Sequence, residues 1–300
     1  MRWKGQRKSE NVEDRRAQSP GRSFGSGSGS GAGLRIFQLI ASRFGIKGIL
    51  IAVIGTMVLW KLGVIDPYAL LGGGQMTEPG QEKVLVESEH EKELFEFVTV
   101  VLGSTEDVWS KIFAQYGETY VPPTLVIYRK FVRTGCGGAS SAMGPFYCPA
   151  DQKVYIDLSF YDELAREFKA PGDFAQAFVL AHEVGHHVQN LLGTSKKVSA
   201  QRGRPGFNQM SVRLELQADY YAGLWAHHSR EYLEKGDIEE AMRAAHAIGD
   251  DAIQKKATGR ITPHAFTHGS SDQRMRWFMK GLENGTMKEG DTFEQSYDSL

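Results

Sequence analysis

Cysteine is nearly absent from this chain: two residues in 300, Cys136 and Cys148. A thiolate metal site would need two further ligands close by, and the stretch CGGASSAMGPFYC that they bracket holds no histidine. The pair is therefore expected to close a short glycine-rich loop as a structural disulfide, which calls for an oxidising compartment. No internal repeat is found. Long apolar runs are also lacking, with one exception: GILIAVIGTMVLWKLGVI, residues 48 to 65, whose single charge is Lys61. As a helix it spans about 27 Å against a hydrocarbon core of about 30 Å, with Lys61 near enough to one end to snorkel. No small-residue cleavage motif follows at DPYALLGGG, so an anchor is expected rather than a cleaved signal peptide.

A strong net charge is missing too, at −1, but its distribution is uneven. Met1 to Lys47 holds ten basic residues against three acidic ones, and the remainder holds 25 against 33. The positive-inside rule then places the head in the cytoplasm and everything after Asp66 on the far side. Residues 1 to 33 are charged and then Gly/Ser-rich, too poor in apolar side chains to fold. They lack the aromatic interleaving of a nucleic-acid binder, so no nucleic acid is expected as a partner. The expected organisation is a disordered basic tail over 1–45, a transmembrane anchor over 46–65, a linker over 66–81 and a folded domain over 82–300.

Within that domain, residues 89 to 116 suggest two helices broken at Gly103-Ser104. PTLVIYRKFV and KVYIDLSF have the β-branched and aromatic content of strands, and they flank the cysteine loop. Helical patterns follow at 172–193, with Asp173 as N-cap and Gly193 as stop, and then at 208–229, 237–257 and 271–284. The expected class is α+β, mainly helical with a small sheet, preceded by one transmembrane helix.

The most telling motif is His182-Glu183-Val184-Gly185-His186 on the 172–193 helix. Residues four apart share a helical face, so His182 and His186 can both bind one zinc ion, at about 2.0–2.1 Å. Glu183 points beside them, placed to take a proton from a water whose pKa the metal lowers toward about 7. The flank of that helix is apolar, and polar groups desolvated there need a partner such as a metal. A third protein ligand is required. The extended HExxHxxGxxH pattern is absent, since Gln189 and Leu192 occupy its glycine and histidine positions, and His187 faces elsewhere. Glu215, on an otherwise apolar downstream helix, is the expected third ligand. Asp219, four residues on, shares its face and can orient a liganding imidazole.

HExxH followed by this distant ExxAD resembles the glutamate-type zincin metallopeptidases. The longer set GPFYCPADQKVYIDLSF, GDFAQAFVLAHEVGHHVQ, LELQAD, GDIEEA, AIGDD and FTHGSSDQR resembles the neutral zinc metallopeptidase family of bacterial membrane-anchored proteins. The resemblance covers about Glu106 to Gly285. It implies a zincin-like fold, Zn2+ as cofactor and hydrolysis of a peptide or protein substrate, with Glu183 as base. A looser similarity links Thr267-His268-Gly269 and Arg274 to the THPxxxxR segment of prenyl-protein and heat-shock membrane proteases, with Gly269 in place of proline. It implies His268 as a catalytic oxyanion donor and Arg274 as holder of an acidic group near the metal. Tyr220 and Tyr221 are alternative oxyanion donors, and Tyr155-Ile156-Asp157 is a candidate edge strand for substrate pairing.

The expectation is a single-pass zinc metallopeptidase of the inner (plasma) membrane, anchored in the bilayer, with its catalytic domain on the periplasmic side. A non-catalytic zinc-stabilised binding module and a hydrolase of non-peptide amides are the other readings.

Overall fold

The computed structural model describes residues 1–18 and 85–300, which belong to one compact unit. The anchor and linker expected over 46–65 and 66–81 lie outside these residues. Among those described, no helix is long and apolar enough to cross a membrane.

The architecture is α+β and mainly helical. Strand β1 (Val12–Asp14) precedes helix α1 (Glu89–Gln115), and β2 (Thr124–Tyr128) leads into the hairpin β3 (Phe131–Thr134) and β4 (Gly137–Ser140). Next come β5 (Phe146–Cys148), β6 (Lys153–Asp157), α2 (Ser159–Arg166), α3 (Asp173–Leu191), α4 (Thr194–Ser199) and α5 (Phe207–His228). Helices α6 (Asp237–Ala247), α7 (Asp250–Thr258) and α8 (Ser271–Asn284) complete the domain. The main sheet has the order β1-β2-β6-β5. β2 and β6 pair in parallel, Leu125 beside Val154 and Ile127 beside Ile156. Strands covered on both faces need continuous apolar runs, which TLVIY and KVYID supply.

This order corrects the expectation for Tyr155-Ile156-Asp157. β6 is interior, paired on both sides, and β5 is the edge strand, with Tyr147 opposite Val154 in an antiparallel ladder.

Residues 1–18 are not an unfolded tail. β1 pairs in parallel with β2, Val12 beside Leu125. Trp3 is buried edge-on against Phe97. Arg7 pairs with Glu106 at 2.8 Å and Asp107 at 2.9 Å, and Asn11 donates to Glu106 at 2.8 Å. Arg16 is buried between Asp14 (2.7 Å) and Glu87 (2.8 Å). The Met1 amino group donates to Asp173 at 3.0 Å and Asp237 at 3.2 Å. Strands hydrogen-bonded in one sheet occupy one compartment. A single-pass arrangement with residues 1–18 in the cytoplasm and the catalytic domain beyond the membrane is therefore corrected.

The same contact explains why α1 runs unbroken through Gly103-Ser104. A Cβ on Gly103 would come within 2.8 Å of the Arg7 carbonyl oxygen, so the missing side chain allows a backbone crossing and does not mark a break. Asp173 is the first residue of α3, with Gly172 at the N-cap, and its carboxylate serves Met1. The helix expected over 237–257 is two, α6 and α7, parted at Ile248-Gly249.

Candidate metal centre

The site stands where α3 crosses α5. The two backbones approach so closely that a Cβ on Gly185 would lie 3.0 Å from the Ala218 carbonyl oxygen. Gly185 lies between His182 and His186, and Ala218 lies between Glu215 and Asp219. The crossing therefore brings both pairs together.

Hydrogen bonds at the outer ring nitrogens fix both imidazoles. His182 Nδ1 donates to Asp219 Oδ1 at 2.8 Å, since a carboxylate only accepts. His186 Nδ1 donates to Gln189 Oε1 at 2.9 Å, and the amide of Gln189 donates in turn to the Leu214 carbonyl at 2.6 Å and to Gln217 at 3.1 Å. Both Nε2 atoms are thus left facing Glu215, whose Oε2 lies 3.2 Å from that of His182 and 3.5 Å from that of His186. One donor atom from each of the three residues lies within 4.8 Å of the others.

With protons held at the Nδ1 positions, three lone-pair atoms face one another, an arrangement that repels unless a cation or a proton is supplied. The acid–base behaviour has the same cause. Burial lowers the affinity of His182 for a proton, but the charge and hydrogen bond of Asp219 outweigh it and push the group up to about 9. Burial is likewise outweighed at His186, where Glu215 shifts the ring upward. Burial opposes ionisation of Glu215, yet His186 and the bonds from both rings hold it well below the usual carboxylate range. The donor set, two imidazole nitrogens and one carboxylate oxygen, fits a zinc ion of the His-His-Glu type.

Glu183 is buried beside the pair, and Tyr147 of β5 lines the same cleft. Burial raises its pKa, against the pull of His186 and His182. Asp219 is fully buried and also accepts from Arg274. Burial alone would raise its pKa, but Arg274 and His182 hold it low. His268 lines the same cleft, with its Nδ1 3.1 Å from Asp250 Oδ1.

His182, Glu183, His186, Glu215, Asp219, Arg274 and His268 are thus brought together as read from the sequence. Tyr220 and Tyr221 are not. Both are buried in the helical core, Tyr220 donating to the Thr286 carbonyl and Tyr221 packing on Trp109. His187 does face elsewhere, bonded to the Tyr147 hydroxyl and the Val121 carbonyl. Cys136 and Cys148 form a disulfide.

Two residues escaped sequence reasoning. Gln189 lies one turn beyond His186 on the same face, a spacing that could have marked it. Asp250 begins α7, and its Oδ2 accepts the backbone N–H groups of Thr267 (2.6 Å) and His268 (2.7 Å). A local reading of Asp250-Asp251 has no access to that partner. A second group, Asp173, Asp237 and Glu240, has the spacing of a cation site. There Asp173 and Asp237 hold the Met1 amino group, and Glu240 accepts from the Phe174 N–H at 3.1 Å.

Two histidines and a glutamate on crossing helices, with a further carboxylate at their side, define a helix-borne HExxH metal centre. The sequence matches the family described as "Putative neutral zinc metallopeptidase" over residues 1–293, and the chain belongs to that family. It is 46% identical over 301 residues to the uncharacterized protein YpfJ of Escherichia coli (strain K12), covering 99% of this chain and 100% of that one. It is 43% identical over 204 residues to the uncharacterized protein Rv2575 of Mycobacterium tuberculosis (strain H37Rv), covering 64% of this chain and 68% of that one. No solved structure matches it.

Proposed function

We propose that this protein hydrolyses peptide bonds as a zinc metallopeptidase with a zincin-like fold. Family membership supports the class, and the position of Glu183 carries the reading. A metal site that only holds a fold together has no use for an unliganded carboxylate at its edge, and it closes the fourth position with another Cys or His. Among the described residues the cluster contains three ligands only.

His182, His186 and Glu215 would hold the ion. When bound, zinc supplies Lewis acidity that lowers the pKa of a water and polarises a carbonyl. Glu183, its pKa raised by burial, accepts the proton from the attacking water and hands it to the leaving amine. Asp219 and Gln189 keep both Nε2 atoms turned inward. His268, steadied by Asp250, stands in the cleft as the donor to the developing oxyanion.

The test uses the full chain, with zinc content and digestion of a peptide library read on each variant. Glu183→Gln is expected to keep one zinc per chain and lose about 10²–10⁴-fold in hydrolysis; His182→Ala is expected to lose both. Full peptidase activity in Glu183→Gln, or wild-type protein without stoichiometric zinc, overturns the proposal.

Membrane attachment through residues 48 to 65 belongs to the same proposal. Residues 1–18 and the metal centre then stand on one face of the bilayer. The disulfide favours the extracytoplasmic face.

A further inference from the structure

The metal triad opens into a cleft of about 510 Å³. Much of its wall is not used by the hydrolytic chemistry. Phe160 of α2, Phe168 just beyond it, Val179 of α3, Ile248 at the end of α6, Ile253 of α7 and Met143 before β5 all line it. Met143 is 66% exposed and Ile253 41% exposed, so large apolar side chains reach water inside a concave surface next to the reacting groups. A shared apolar wall of this kind differs from scattered surface leucines, because it awaits an apolar occupant. Apart from the groups already assigned, Glu163 is the only charged residue lining the cleft among the described residues, and no lysine among them lines it.

β5 supplies the second observation. This edge strand brings Phe146 and Tyr147 into the same cleft. A peptide extended along an edge strand turns alternate side chains to one face, so a residue adjoining the scissile bond projects toward the metal helix and its apolar surroundings.

We propose that the wall formed by Met143, Phe160, Phe168, Val179, Ile248 and Ile253 is a specificity subsite for a bulky apolar side chain next to the scissile bond. The substrates are then extended peptides carrying Leu, Ile, Met or Phe at that position. This rests on the peptidase reading, and binding and cleavage test the two separately.

The probes are alanine-based octapeptides with a central Leu, Phe, Ser, Asp or Lys. Binding is read by fluorescence anisotropy on full-length, zinc-loaded Glu183→Gln, and cleavage on the wild type. The Leu and Phe peptides are expected to bind at least about tenfold more tightly than those with Ser or Asp, with cutting beside the apolar residue. Ile253→Lys, at a partly exposed helical position, is expected to shift the Asp-to-Leu preference by at least about tenfold while leaving the circular dichroism unchanged. Equal binding of all five peptides, a preference for Lys, or an Ile253→Lys preference identical to wild type overturns the subsite. Apolar preference in binding without any cleavage leaves the subsite standing and removes the peptidase reading. Cleavage without preference removes the subsite alone.

Discussion

Arg274 grips Asp219 with two parallel hydrogen bonds, Nε to Oδ2 and Nη2 to Oδ1, each 2.8 Å long. Both side chains are buried, and the carboxylate they share also takes the proton-bearing Nδ1 of His182. The pair therefore sets the orientation of the His182 ring, a proposed metal ligand, from a third helix, α8. Arg274→Met leaves a buried charge without its partner, for which about 3–5 kcal/mol of lost stability is expected. Urea denaturation measures it, and a change below about 1 kcal/mol contradicts this account.

Gln189 plays the equivalent part for His186. Gln189→Leu keeps most of the side-chain volume and removes both the acceptor for His186 Nδ1 and the donor to the Leu214 carbonyl. Zinc affinity is expected to fall by about 10–100-fold. A competition titration with a chromogenic chelator provides the measurement, and unchanged affinity sinks the assignment.

Zinc binding is expected to depend on pH with a definite sign. His182 is pushed up to about 9 and His186 is shifted upward in the metal-free protein, so below about 9 the metal must displace a proton from His182. Affinity therefore rises with pH, by about tenfold per unit for each proton displaced, and levels off once pH exceeds the raised values. Calorimetry in buffers of different ionisation enthalpy counts the released protons. Zinc affinity that stays flat between about pH 6 and 8 contradicts the electrostatics described.

The sheet makes a topological prediction. Cysteines introduced at the exposed positions Glu10 and Glu118 are expected to react with a membrane-impermeant maleimide from the same side of the membrane in intact cells. Labelling of one only, until the membrane is permeabilised, contradicts the pairing of β1 with β2.

The candidate metal site was legible because a helix repeats on itself: His182 with His186, and Glu215 with Asp219, are each four residues apart, and that period needs no tertiary knowledge. The first eighteen residues were not legible. Their bulkier apolar side chains, Met1, Trp3 and Val12, gain burial only against parts of the chain distant in sequence, and Arg7 and Arg16 find Glu106 and Glu87 far along the chain. Composition measures what a segment can bury alone, and this one buries nothing alone. The strand order was misread for a related reason. Val154 to Asp157 are buried without alternation, the mark of a strand flanked on both sides, and that is visible only in hindsight from KVYID. Gly103 carried a real signal with the wrong meaning, since a glycine permits a close crossing as well as a break.

Cys148 is the last residue of β5, and its bond to Cys136 ties that strand's end to the turn of the β3–β4 hairpin. One residue earlier, Tyr147 lines the cleft that holds Glu183. A newly made chain kept in a thiol-rich cytosol would carry its ligands on α3 and α5, but the strand next to Glu183 would lack its covalent fastening. Reduction of that bond would therefore loosen the strand in the wall beside Glu183 while leaving His182, His186 and Glu215 in place on α3 and α5.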